Sequence, residues 1–194
     1  MEKVKKIWPN IVKFTKQYLL LILAALLVGW LIHRFVFTAS LVQGNAMAPT
    51  LKNHQYIFIN RLTKIKRGDV VNFTAHGIDA RQGKANNYVQ RVIGLPGDTV
   101  SYHQGALYVN QKLVSQNYLS NQEKGSGTEL IFGDPWDLKT LSESSLWKNA
   151  DRHQERVPAG KYFVLGDKRS QSNDSRYFGF VPAKDIHGKV VGAF

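Results

Sequence analysis

The chain has 194 residues, 43% of them hydrophobic, which suffices for one domain with a buried core and excludes a disordered or low-complexity polypeptide. It contains no cysteine, so disulfide scaffolds, thiol catalysis and cysteine-based zinc sites are excluded. A formal net charge of +12 calls for a surface or partner of opposite sign, and the position of the basic residues decides which.

Lys3, Lys5, Lys6, Lys13 and Lys16 crowd residues 1–17. Each basic side chain near an anionic leaflet contributes roughly 1 kcal/mol of attraction, so lipid headgroups are the simplest partner for this segment. Other basic residues, among them Lys64, Lys66, Arg67 and Arg81, are interleaved with acids and carry no nucleic-acid-binding signature; nucleic acid is not a predicted partner. Residues 18–37 read YLLLILAALLVGWLIHRFVF. As a helix rising 1.5 Å per residue they would span about 30 Å, the thickness of a bilayer core, and a single-pass anchor is expected. Tyr18 and Trp30 suit aromatic belts, and His33 and Arg34 lie near the far end, where they can reach the interface. The lysine excess before the run places the N-terminus in the cytoplasm and residues 38–194 outside. Two other readings compete: a cleaved signal peptide ending near Ala39-Ser40, and a buried soluble helix. Bulky Phe35 and Phe37 before the small pair count against the first, and apolar residues on every face count against the second.

Beyond residue 38 the pattern changes to short β-rich runs: QYIFIN, DVVNF, NYVQRVIGL, DTVSYHQGALYVN, KYFVLG and GKVVGAF. A mainly β domain is predicted. Leu95-Pro96-Gly97-Asp98 marks a turn, and His103-Gln104-Gly105-Ala106 a hairpin reversal. Residues 115–156 read as an irregular insertion capping the sheet, with an amphipathic helix carrying Leu138, Leu141 and Leu146. The six histidines show no ligand spacing, so neither a metal site nor any other cofactor is expected.

Three stretches carry a stronger pattern. Val42-Gln43-Gly44-Asn45-Ala46-Met47-Ala48-Pro49-Thr50-Leu51 follows the apolar run. Arg67-Gly68-Asp69-Val70-Val71 is followed by Tyr88-Val89-Gln90-Arg91-Val92-Ile93-Gly94-Leu95-Pro96-Gly97-Asp98. Gly166-Asp167-Lys168-Arg169-Ser170-Gln171-Ser172-Asn173-Asp174-Ser175-Arg176-Tyr177-Phe178-Gly179 closes the series. Together they resemble the motifs G-x-S-M-x-P-T-L, Y-V-K-R-V-I-G-L-P-G-D and G-D-N-R-x-x-S-x-D-S-R-x-F-G of the type I signal peptidases, in that family's order. The short interval between motifs is similar to that of compact Gram-positive members.

The resemblance implies a β-rich fold with a groove for exported precursors, and a serine hydroxyl activated by a buried neutral lysine. Ala46 stands at the serine position and Gln90 at the lysine position; neither side chain can attack a carbonyl or take up a proton near neutral pH. Ser172 matches the serine that orients the lysine, and a bond from it to the Gln90 amide is expected instead. Substrate contact is expected along Leu41, Val42, Gln43, Gly44, Asn45, Met47 and Pro49 and along Asn87, Tyr88 and Val89. The resemblance also implies that Arg91, Asp167, Asp174 and Arg176 form ion pairs holding the third motif against the second. Ser40 and Thr50 are the nearest alternative hydroxyls, but six extended residues carry Ser40 about 20 Å from Ala46. Lys168 is a spare base with no hydroxyl partner assigned.

The leading expectation is a non-catalytic, outward-facing module that holds exported or surface-protein precursors, pilins included, and assists their assembly. Its rivals are an ordinary signal peptidase, altered at two positions or rescued by another nucleophile, and a companion of an active peptidase in the same membrane.

Overall fold

The computed structural model describes residues 17–31, 36–79, 87–129 and 133–194. The chain divides into two compact units, Met1–Thr38 and Ala39–Phe194.

In the first unit, residues 17–31 form helix α1, whose leucines and isoleucine are exposed on all sides, Leu20 at 71% and Leu26 at 64%. The fifteen described residues measure about 22 Å at 1.5 Å each. No helix among the described residues is long and apolar enough to cross a membrane. The expected span to Phe37 is corrected at its far end, where Val36 lies in a turn and Phe37 opens strand β1 (Phe37–Leu41). The N-terminal lysines, His33 and Arg34 lie outside the described residues.

The second unit is mainly β, as the short alternating runs predict. Its larger sheet has seven strands in the order β1, β2 (Tyr56–Asn60), β11 (Ile186–Ala193), β3 (Val70–Thr74), β4 (Asn87–Gly94), β9 (Lys161–Leu165) and β10 (Val181–Pro182). Strand β2 alternates as a half-buried strand must: Ile57 and Ile59 are buried, while Tyr56 and Phe58 face outward. The inner strands β3 and β4 instead bury consecutive residues, Val71-Asn72-Phe73 and Val92-Ile93-Gly94, because both faces are covered. The registers fix the frame of the site: Val71 lies opposite Gln90, Val70 opposite Arg91, and Arg91 opposite Leu165.

A smaller sheet runs β7 (Lys112–Leu113), β6 (Ala106–Val109), β5 (Val100–His103) and β8 (Trp136–Asp137). The predicted reversal between β5 and β6 is a two-residue turn with Gln104 and Gly105 both at positive φ, 52° and 73°, the geometry whose twist matches a hairpin. Leu95-Pro96-Gly97-Asp98 closes as predicted, with the Asp98 amide on the Leu95 carbonyl at 3.0 Å and Gly97 at φ 88°.

The stretch 115–156 does more than cap. Its β8 pairs with β5, placing Trp136 against Tyr102, and short helices α2 (Asn121–Lys124) and α3 (Ser126–Glu129) precede it. The predicted amphipathic helix exists as α4 (Leu138–Glu143), begun by the Asp137 side chain accepting from Thr140 N. It buries Leu138 and Leu141 but stops before Leu146, which is 49% exposed. Three buried clusters make the core: one between the small sheet, α4 and Phe163; one on β3, β9 and Phe178; and one joining Val42, Met47 and Leu51 to Ile57 and Ile59. The third cluster ties the first motif to β2, so the chain around Ala46 is held by core packing.

Candidate functional site

Residues Val42 to Met47 and Asn87 to Gln90 face each other across a groove of about 200 Å³, joined by Gln171 and Asn173 from the third motif. Ten of the positions expected from the sequence line it: Val42, Gln43, Gly44, Asn45, Ala46, Met47, Asn87, Tyr88, Val89 and Gln90. Leu41 and Pro49 do not. Leu41 ends β1, 37% exposed, and Pro49 lies on the surface after a cis peptide bond. Met47 borders the groove yet is only 1% exposed, because its side chain packs in the third core cluster.

The second wall is a half-partnered strand. Strand β3 pairs with β4 from Asn87 to Arg91, whereas β9 pairs with β4 only from Arg91 onward. Among the described residues, no strand therefore flanks the Asn87–Gln90 stretch on the side away from β3. Such an edge can accept an extended polypeptide through main-chain hydrogen bonds.

Between the walls the side chains are fixed. Gln90 is 1% exposed and donates from Nε2 to the Asn173 carbonyl at 2.7 Å. The expected bond between Ser172 and Gln90 is absent: among the described residues, Ser172 Oγ and Gln90 Oε1 are both buried without a hydrogen-bond partner. The Asn173 carbonyl takes the amide that the sequence assigned to Ser172. Asn173 in turn donates from Nδ2 to Asp79, which also accepts from Tyr88 OH at 3.0 Å. Asp79, 3% exposed, thus ties the second wall to the third motif; no motif signals it in the sequence.

The chain around Ala46 is held from the third motif. Lys168 N donates to the Ala46 carbonyl at 2.9 Å. Gly166 is needed here for lack of space: a Cβ on it would collide with Ser172 Oγ and lie 2.6 Å from the Ala46 carbonyl oxygen. It leads the third motif, and close backbone approach is the reason a side chain is excluded. Thr50, the nearest downstream hydroxyl, is committed to Asp167 Oδ2.

Of the four ionic residues, Arg91 and Asp167 pair with each other. Arg91 Nε and Nη2 grip Asp167 at 2.8 and 2.6 Å, joining the second motif to the third. Burial disfavours the Arg91 charge, but the Asp167 hydrogen bonds and charge outweigh it and hold the guanidinium above its ordinary range. Tyr118 from the insertion stacks its ring 4.0 Å from that guanidinium. Asp174 and Arg176 depart from expectation. They pair with each other inside the third motif, at 2.9 and 3.0 Å, rather than across to the second. Two residues apart at the start of helix α5 (Ser175–Phe178), they sit within reach because Asp174 is its N-cap. Arg176 also donates to the Gly127, Thr128 and Arg169 carbonyls, and Glu123 accepts from Ser170 N and Oγ. Through these bonds the insertion clamps the third motif, a role that its irregular sequence did not signal.

Comparisons with known proteins agree with this arrangement. The profile described as "Signal peptidase, peptidase S26" matches residues 15–194. Signal peptidase IB of Staphylococcus aureus is 34% identical over 182 residues, 92% of this chain and 88% of that protein. Signal peptidase I P of Bacillus subtilis subsp. natto is 35% identical over 192 residues, 96% of this chain and 90% of that one. The crystal structure of a signal peptidase I from Enterococcus faecalis superposes with a TM-score of 0.51 at 34% identity, covering 66% of this chain and 98% of the other.

Proposed function

The chain belongs to the peptidase S26 family of signal peptidases, and from that premise we propose that it holds exported precursor polypeptides in the family's groove without cutting them. Ala46 and Gln90 carry this reading. They line one groove, on the two segments where the family's serine and lysine motifs align, and both lack the chemistry those positions require. A methyl group supplies no nucleophile, and a carboxamide neither takes nor gives a proton near neutral pH. The Gln90 amide is tied to the Asn173 carbonyl and Thr50 to Asp167, so neither of these two groups supplies a replacement. Loss of a comparable nucleophile and base costs on the order of 10⁶ in turnover, roughly 8 kcal/mol of transition-state stabilisation.

What binding requires remains. The unflanked edge of β4 offers main-chain groups to an extended segment, and the chain around Ala46 is held by the core packing of Val42 and Met47 and by Lys168 N regardless of what the Ala46 side chain can do. Helix α1 and the lysines before it support anchoring in an anionic membrane, with the β domain on the outer side, where exported precursors emerge. A part in assembling surface proteins or pili follows if the captured precursors are their subunits.

The test is capture without cleavage. The full chain in detergent is mixed with a precursor carrying its signal peptide, and with the mature protein lacking it. The precursor is expected to co-purify intact and the mature form to pass through. Gly166→Leu, which drives a side chain into Ser172 and the Ala46 backbone, is expected to abolish capture. Cleavage by the chain as it stands, or capture indifferent to the signal peptide, would overturn the proposal.

A further inference from the structure

Six of the residues lining the groove carry carboxamides: Gln43, Asn45 and, on the facing wall and third motif, Asn87, Gln90, Gln171 and Asn173. Among the described residues, no aspartate, glutamate, lysine, arginine or histidine lines it. One amide oxygen, Gln90 Oε1, is buried beside the groove with no hydrogen-bond partner among the described residues. The Gln90 and Asn173 amide nitrogens already donate to the Asn173 carbonyl and to Asp79, and Gln43, Asn45, Asn87 and Gln171 remain to donate to and accept from neutral polar groups, but a carboxamide cannot balance a charge.

We infer that the groove selects extended segments whose inward-facing side chains are neutral hydrogen-bonding groups, those of Ser, Thr, Asn and Gln, over apolar or charged ones. The inference rests on the groove-binding reading above and gives it a ligand class. An apolar side chain pressed into the groove would leave amides dehydrated and unpaired, and sites built to hydrogen-bond a ligand reject analogues lacking that group strongly. A charged side chain would be desolvated with no countercharge in the lining to compensate it. Alternate side chains of an extended segment face the same way, so the selection acts at every second position of the ligand.

Short labelled peptides with Thr and Asn, Val and Leu, or Lys and Asp at alternate positions, each made in both registers, would be titrated against the full chain in detergent by fluorescence anisotropy. The Thr/Asn peptides are expected to bind at least about 10-fold tighter than the other two classes, the scale set by leaving a hydrogen-bonding group unpaired. Their affinity is expected to change less than about twofold between low and high salt, since no ion pair forms in the groove. The double variant Asn45→Leu/Gln171→Leu, at two exposed positions, is expected to fold as judged by circular dichroism and to lose the preference. Equal or tighter binding of the Val/Leu peptides, or steep salt dependence for the Thr/Asn peptides, would overturn the inference and leave the groove reading standing. Absence of binding by every class would overturn both.

Discussion

Arg91 and Asp167 form the tie between the second and third motifs, with side chains 12% and 0% exposed. Removing one partner of such a pair strands the other, so Arg91→Ala is expected to cost about 3–5 kcal/mol, measured by urea unfolding. Arg91→Lys should recover only part of this, because a lysine cannot grip both carboxylate oxygens while also reaching the Gly68 carbonyl as Arg91 does. Ala46 and Gln90 were legible from the sequence because each breaks an otherwise continuous motif at one position. The direction in which the Gln90 amide turns was not. Spacing brings Ser172 and Asn173 equally near, and the backbone carbonyl of Asn173 wins at 2.7 Å while Ser172 Oγ stays unbonded. Asp79 was invisible for a similar reason: a lone aspartate in a turn acquires its meaning only when Tyr88 and Asn173 converge on it.

Strand β4 works as two halves. From Arg91 to Gly94 it pairs with β9, with Val92 to Gly94 buried, and from Asn87 to Gln90 it pairs with β3 alone. If ligands add to that edge as a strand, methylating alternate amide nitrogens of a bound peptide in the matching register should weaken binding by about 10-fold or more, while the other register changes little. Equal effects in both registers would argue against strand addition. Strands such as β2 could be read from alternation, and the β5–β6 hairpin from Gln104-Gly105, because those signals are local. Strand β8 could not, since two residues carry no periodicity and Trp136-Asp137 becomes a strand only by pairing with β5. The same insertion places Trp147, 2% exposed, against Phe180 with its indole donating to the Arg176 carbonyl at 3.0 Å. Trp147→Ala is therefore expected to cost about 3–5 kcal/mol and to loosen the third motif, seen as lost precursor capture together with a lowered melting temperature.

At the scale of the whole molecule, charge and titration set the working conditions. The net charge of +12 predicts binding to vesicles that rises with anionic lipid and falls with salt, measured by co-sedimentation. Burial, with help from Arg61 and against Asp185, holds the His187 imidazole below the ordinary 6.5. Neutral His187 thus contributes stability in full above the unfolded value, and that contribution is lost as pH falls through the lower folded value. Asp98 adds a second loss in stronger acid. Burial opposes its ionisation, but Arg67, the Leu95 amide and Asn110 outweigh this and depress its pKa below 3.8. Melting temperature should accordingly hold near neutrality, fall below about pH 6.5 and fall again in strong acid, with His187→Gln flattening the first step. The β domain was readable from its motifs and strand runs, whereas the described part of the apolar run is helical over residues 17–31 and Phe37 already lies in a strand. Hydropathy cannot separate apolar residues of a helix from those of a strand that follows it. The central claim is that the groove is intact and only its reacting atoms are missing. It is tested most directly by incubating a signal-peptide-bearing precursor with the full chain carrying Ala46→Ser together with Gln90→Lys. Cleavage by this double variant, with none by the unaltered chain or either single variant, is the predicted result. Failure of a folded, precursor-binding double variant to cut, or cleavage by the unaltered chain, would contradict it.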